Sequence, residues 1–301
     1  MHKKIFTTYA WPLAGIFFAA LWASASTATK IGLTVAQPLV IAEVRFAVAS
    51  AVMLLLVHVI KGQRLPKGNE WKQIAIYGLL NISIYLGCYV IAMQTVTAGI
   101  GALAVSTNPV FISFLSVFFL KKKLSWEVIV SIVVCTAGVL TAAWPLFEHA
   151  TVDAKGLLIL LFSMLSYSVA AVYFSGRDWS GLSLSVINGW QTLLGGLFLL
   201  PVTLFFYHPQ QNQFNQSFWL SVGWLAIPVS IFAVQLWLWL LQTNAVKAGL
   251  WLFLCPLFGF VFAAWIMKDE ISGYTVAGVV LVIVGLILSQ LNKRKNEVVF
   301  D

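Results

Sequence analysis

The sequence predicts an all-α polytopic membrane protein, with ten transmembrane helices arranged as two inverted five-helix repeats. Three observations carry this. Of the 301 residues, 60% are apolar and only 9% charged, against about 25% charged in an ordinary soluble domain. The apolar residues gather into stretches long enough to cross a bilayer, which takes roughly 20 residues of helix for about 30 Å of hydrocarbon. The second half of the chain also overlays on the first. With a mean hydropathy of +0.92 there is too little polar surface to cover a core, so the apolar excess must face lipid. A cytosolic enzyme, a secreted disulfide scaffold and a disordered chain are excluded.

Stretches without Asp, Glu, Lys or Arg run over 5–29, 73–120, 128–147, 156–176, 179–246, 248–267 and 271–292. Pro38–Ile60 joins them apart from Glu43 and Arg45. The stretch 73–120 breaks near 94–99, and 179–246 breaks at the polar run that starts at His208, so each holds two helices. Ten spans result. Barrel strands would alternate polar and apolar residues, whereas these runs are apolar on every side. Little chain remains for a separate soluble domain.

The net charge of +8 sets the orientation. With the N-terminus cytoplasmic and alternating spans, 14 of the 18 basic residues fall inside. Only Lys30, Lys155 and Lys268 fall outside, and Arg45 lies within a span. Basic residues concentrate on the cytoplasmic side, so both termini are expected there. The two sides then carry net charges of +9 inside and −1 outside. The excess is an orientation signal, which leaves the cavity nearly uncharged and gives no reason to expect nucleic acid. Lys3-Lys4, an apolar run and Ala23-Ser24-Ala25 also fit a cleaved secretory signal. The counterpart of span 1 later in the chain argues that it is retained.

Spans 4–5 and 9–10 overlay without a gap at an offset of 147: Pro109 on Pro256, Phe111 on Phe258, Lys121 on Lys268, Ser125 on Ser272, Val133 on Val280 and Gly138 on Gly285. Spans 1–2 and 6–7 overlay more loosely, with Trp22 near Tyr167 and Arg45 near Gln191. Five is odd, so a second copy enters the membrane from the opposite side, the inverted architecture common in secondary transporters. The expected units are 1–147, 148–292 and a cytoplasmic tail, 293–301. Gly138, Gly278 and Gly285 point to close helix packing. A monomer and a homodimer both remain open.

The assembled residues resemble the drug/metabolite transporter superfamily, in its EamA-type ten-helix branch. Ala20-Leu21-Trp22-Ala23-Ser24, Lys30, Pro38 and Arg45-Phe46 look like its first-repeat pattern. So do Ala98-Gly99, Asn108-Pro109 and the step from Lys121 to Ser125. Ala248-Gly249, Pro256, Lys268-Asp269-Glu270 and Gly278 resemble the second, where Glu270 matches a frequent hinge glutamate. Tyr167 departs from the pattern, standing where a Trp is frequent. The resemblance spans roughly Trp11 to Leu291. It implies a carrier, often an exporter, of amino acids or related metabolites in a bacterial inner membrane.

A polar stripe on one face of an apolar span points to a cavity. Tyr77, Asn81, Tyr85 and Tyr89 recur every fourth residue and so share one side of span 3. Tyr77, near the cytoplasmic end, is expected to be an interfacial anchor. Asn81, Tyr85 and Tyr89 are expected to line the cavity, with interhelical hydrogen bonding as the alternative. Trp22 and Ser26 on span 1, Ser163 and Tyr167 on span 6, and Gln235 and Trp239 on span 8 pair in the same way. Trp219 and Trp224 read as belt residues. Pro109 and Pro256 cannot donate to the carbonyls of Val105 and Leu252, which makes each a candidate hinge or a static kink, and Asn108 adds an amide beside the first.

Intramembrane charge points to function by default. Glu43 and Arg45 are two residues apart and face different sides of span 2. Both are candidate gating or structural charges: Arg45, in the outer third, is placed to snorkel, and Glu43 is the lone carboxylate that can exchange a proton at that depth. The four His and three Cys form no metal-ligand cluster. No P-loop or protease motif occurs, so neither cofactor nor catalysis is expected. Spans 1, 3, 4, 6, 8 and 9 would build a cavity of Trp, Tyr, Asn and Gln. Such a cavity suits a small neutral or zwitterionic solute with an apolar part, such as an amino acid. The alternative is a non-transporting sensor or assembly subunit with the same fold.

Overall fold

The structure, a computed structural model, describes residues 2–96, 98–144, 153–179, 181–267 and 273–297. Among these the chain is helical and forms no strand. Helix α1 is His2–Leu33, α2 Pro38–Leu54 continued by a π-helical turn Leu55–Ile60, and α3 Asn69–Gly78 continued through a π segment Leu79–Ile84 to Tyr85–Ala92. Helix α4 is broken into Ala98–Val105 and Asn108–Phe119; α5 is Trp126–Ala142, α6 Ala154–Ser175 and α7 Leu184–Phe205. Helix α8 runs Gln216–Trp224, a π segment Leu225–Ala233 and Val234–Thr243. Helix α9 joins Ala245–Leu250, a 3-10 turn Trp251–Phe253 and Leu254–Met267, and α10 is Gly273–Glu297. Six helices are long and apolar enough to cross a membrane, and four shorter apolar ones accompany them, counted over the described residues. Lys268, Asp269, Glu270, Ser272, Glu148, the boundary between units at 147/148 and the end of the tail lie outside those residues.

Polar residues start the helices as their chemistry requires. Asp153, Ser183, Asn215 and Asn244 accept from the amides of Gly156, Val186, Phe218 and Lys247, at 3.1, 3.3, 3.1 and 3.0 Å. Each satisfies one of the orphan donors of a helix N-terminus. Pro38 begins α2 behind an extended Gln37, a position where no N–H is needed.

Four packing relations order the bundle: α2 lies on α7, α5 on α10, α1 on α8 and α9, and α6 on α3 and α4. The α5–α10 contact is close because it is built on small residues. A Cβ added to Gly138 would lie 2.8 Å from the Gly278 carbonyl oxygen, and one added to Gly285 would lie 2.5 Å from Cys135 Sγ. Ser131 Oγ donates to the Gly285 carbonyl at 2.7 Å, and Cys135 Sγ to that of Val282 at 3.6 Å. The paired numbers fall on one helix as they rise on the other, so α5 and α10 run antiparallel. Cys135 and Val282 are themselves 147 residues apart, the same offset at which Gly138 overlays Gly285.

Two loop clasps close the ends. At one end, Gln37 Oε1 accepts from His208 N at 2.8 Å and Asn212 Nδ2 at 2.9 Å, and its Nε2 donates to the Phe206 carbonyl at 2.8 Å. This ties the α1–α2 loop to the α7–α8 loop. At the other end, Ser183 Oγ donates to Gln63 Oε1 at 2.5 Å, and Trp190 Nε1 donates to His58 Nε2 at 2.9 Å. This joins the α6–α7 loop and α7 to the end of α2 and the α2–α3 loop.

Candidate functional site

Between the clasps lies a cage of aromatic side chains. Trp22 stacks on Tyr85 at 6.4 Å between ring centroids and leans on Tyr167 at 5.7 Å, while Tyr85 and Tyr167 are 4.7 Å apart. Trp237 stacks on Tyr167 at 5.4 Å and on Phe18 at 4.9 Å. A cavity opens beside this cage. It is lined by Trp22, Ala23 and Ser26 of α1, Arg45 of α2, Tyr85 and Tyr89 of α3, Val105 of α4, Val229 of α8 and Cys255 of α9, among others. Its volume is about 20 Å³, room for about one water. The lining residues named are themselves buried, so the site is occluded.

Both broken helices have their interruptions at this cavity. Helix α4 leaves α geometry at Ser106 and Thr107, whose amides bond three residues back to Leu103 and Ala104, each at 3.0 Å. Val105 borders the cavity just before the break, and Pro109 follows it in the first turn of the resumed helix. On α9 the 3-10 turn Trp251–Phe253 precedes Pro256, and Cys255 between them lines the cavity. Interrupted helices at a central site are the pattern by which transporter folds expose backbone polar groups inside a membrane.

Arg45 is the only charged side chain among the described residues of the lining. It is 3% exposed, so it does not snorkel, and the cavity is not uncharged as the charge count implied. Its Nε donates to Ser230 Oγ at 2.7 Å. Ser230 begins a buried polar chain: its carbonyl accepts from Asn188 Nδ2 at 3.0 Å, Asn188 Oδ1 from Gln191 Nε2 at 3.1 Å, and Gln191 Oε1 from Asn81 Nδ2 at 3.1 Å. A satisfied buried network of this kind holds its members in one geometry. Glu43 points elsewhere, accepting from Thr203 Oγ1 at 3.2 Å across the α2–α7 contact.

The remaining predicted residues divide. Trp22, Ser26, Tyr85 and Tyr89 line the cavity. Tyr167 belongs to the cage but is not among the residues lining the cavity, whereas α2, which is not among the spans expected to build the cavity, contributes Arg45 to the lining. Asn81 is engaged with Gln191. Asn108 is fully buried, its Nδ2 donating to Met164 Sδ at 3.3 Å and its Oδ1 accepting from Ser168 at 3.1 Å, which clamps α4 to α6. Gln235 accepts from Ser185 at 3.3 Å. Trp239 is 39% exposed and packs on Trp11 at 5.8 Å, away from the cage; Trp237 fills the place intended for it. Tyr77 is fully buried against Phe174 and Trp179 and so is not an interfacial anchor. Phe18, Trp237, Ser230, Asn188 and Gln191 are the residues sequence reasoning missed, and Gln191 alone had a signal, its overlay on Arg45.

A second hollow of about 400 Å³ lies between the ends of α4 and α6, lined by Leu115, Phe119, Tyr173 and Arg177 among others, with the Arg177 guanidinium 4.7 Å from the Tyr173 ring centroid. It holds none of the predicted residues. No group of three or more His, Cys, Asp or Glu comes together among the described residues.

A helical membrane bundle enclosing an occluded cavity between interrupted helices defines the class of a solute transporter. The EamA-like transporter family matches residues 10–144 and again 154–291, and the chain belongs to that family. It is 26% identical to Protein PecM of Dickeya dadantii, over 90% of this chain and 89% of that one. It is 28% identical to the uncharacterized inner membrane transporter YedA of Escherichia coli K12, over 77% and 74%. An uncharacterized transporter of Archaeoglobus fulgidus shares 23% identity over 91% and 95%. A solved crystal structure of another chain superimposes with a TM-score of 0.78 at 18% identity, covering 96% of this chain and 99% of that one.

Proposed function

We propose that the protein carries small neutral or zwitterionic organic solutes, such as amino acids, across the inner membrane by alternating access, running outward. The carrying observation is the occluded cavity, with aromatic faces and phenols on its wall, held between a clasp at each end. Aromatic faces take up an apolar body, while phenols and Arg45 address a polar end. The bilayer and one small-molecule solute are the partners this requires. The basic residues orient both termini to the cytoplasm, and the name of the Escherichia coli relative supports the inner membrane.

The moving parts are two inverted five-helix units, 1–147 and 148–292, with 293–301 as a cytoplasmic tail. Several observations support the repeat. The family matches the chain twice in succession. Advancing every helix by five turns the contact of α1 with α8 and α9 into that of α6 with α3 and α4, and maps α2–α7 and α5–α10 onto themselves. The same step exchanges the two clasps. Pro109 and Pro256, related by the repeat, are the proposed hinges.

The test is flux. Purified protein in liposomes loaded with pooled radiolabelled amino acids is expected to release a subset of them, and Tyr85→Ala to change that release. Absence of flux from every pool by folded protein sinks the carrier reading for this solute class and leaves the sensor or assembly subunit.

A further inference from the structure

We propose that the solute docks through a carboxylate on the Arg45 guanidinium, so that the site selects small organic carboxylates with an apolar body and rejects their uncharged analogues. The inference rests on the carrier reading above and shifts its substrate class: zwitterionic amino acids stay within it, uncharged solutes leave it and simple carboxylates enter it.

The argument begins with the cost of the charge. A guanidinium stays protonated under all physiological conditions, and burying one without a counter-charge is expensive in a protein interior or a bilayer. Arg45 is 97% buried by the complement of its 3% exposure. Among the described residues no carboxylate pairs with Arg45. Glu43, two residues away, is turned to Thr203. The one hydrogen bond Arg45 makes uses Nε, the nitrogen nearest the chain, to a neutral serine hydroxyl. Its two Nη groups carry four N–H donors in a planar fork and have no hydrogen-bond acceptor among the described residues.

The surroundings decide what can supply the missing charge. Arg45 borders the cavity together with Trp22, Ser26, Tyr85 and Tyr89. None of these is anionic, and the phenols can add donors to an acceptor held between them and the fork. A planar, two-oxygen anion matches the fork bidentately. The aromatic cage beside it is apolar and extends away from the charge to Tyr167 and Trp237. A carboxylate at one end and an apolar body at the other is the ligand these two halves describe. The polar chain from Ser230 to Asn81 holds the guanidinium in place by its Nε, which leaves the fork free for the solute.

The experiment compares matched pairs on the full-length protein in detergent: aliphatic and aromatic carboxylates, with and without an α-amino group, each against its primary amide. Binding is read by calorimetry and by the shift in thermal unfolding. The carboxylate of at least one pair is expected to bind about tenfold or more tighter than its amide, the scale of a hydrogen-bonded charge interaction. Arg45→Gln is expected to erase that preference to within about twofold, Arg45→Lys to retain part of it, and Arg177→Gln, remote from the cavity, to leave it intact. The wild-type pairs decide the matter even where Arg45→Gln does not fold. Amides binding as tightly as carboxylates, no carboxylate binding at all, or a preference that survives Arg45→Gln overturns the inference. Flux of an uncharged solute with no carboxylate binding overturns it while sparing the carrier reading. Carboxylate binding without flux of any solute has the opposite meaning.

Discussion

Arg45 on α2 and Ser230 on α8 are 185 residues apart in sequence and joined by a 2.7 Å hydrogen bond in the centre of the bundle. The hydroxyl lies in the π segment Leu225–Ala233, and its own carbonyl is held by Asn188. A wider turn of helix thus presents both polar atoms of one serine to two other helices. Ser230→Ala removes an acceptor from a buried charged donor. It is expected to lower stability by about 1–3 kcal/mol, measured by thermal or denaturant unfolding in detergent, and to weaken solute binding without abolishing it. Unchanged stability would show that water or another group takes over the Nε proton.

Trp237 and Trp239 sit two residues apart with opposite fates. Trp237→Ala empties the back of the aromatic cage and is expected to cost about 3–5 kcal/mol, with loss of flux. Trp239→Ala removes a side chain that is 39% exposed and is expected to cost under about 1 kcal/mol, with flux retained. Parallel unfolding and flux measurements on the two variants separate cage from periphery, and the reverse order would put Trp239 in the site.

The α5–α10 contact leaves no room for a side chain at its glycines. A Cβ added to Gly278 would lie 2.5 Å from the Ala142 Cβ. Gly278→Val is expected to force the helices apart, with loss of several kcal/mol or failure to accumulate in the membrane, whereas Gly223→Ala, with open space around it, changes little. Expression level and unfolding temperature report both.

Each clasp is expected to be a gate. Paired cysteines replacing Gln37 and Asn212, or Gln63 and Ser183, should cross-link under mild oxidation and stop flux, and a reductant should restore it. The single substitutions are the controls. Full flux through a protein with either cross-link complete would remove that clasp from the transport cycle.

Much of the fold is written in the sequence because a bilayer tolerates so few alternatives. Charge-free runs of about 20 residues become helices, and Pro38–Ile60 is helical over the range read from its composition. The offset of 147 that overlays Gly138 on Gly285 also relates Cys135 to Val282, which touch. The lining was only half legible. Asn81, Asn108 and Gln235 looked available because their partners Gln191, Met164, Ser168 and Ser185 lie on other helices and their pairing is tertiary. On α8 a polar stripe is present, Gln235, Trp239 and Gln242, but it marks the more exposed face, and the cage lies on the opposite side with the buried Trp237. The burial of Arg45 is not legible from its depth along α2, because it is set by residues of other helices, Ser230 and the tyrosines of α3.

The closed cavity bears on how strongly any solute can be held. Room for about one water means that a solute of even ten heavy atoms finds no vacancy in this form of the protein. It must meet molecules already widened, or do the widening with its own contacts. Its measured affinity is then the intrinsic affinity multiplied by the fraction of molecules open to it. A dissociation constant in the high micromolar or millimolar range would be compatible with a close fit to the opened site. Substitutions that loosen either end can therefore tighten apparent binding without touching a single residue that contacts the solute.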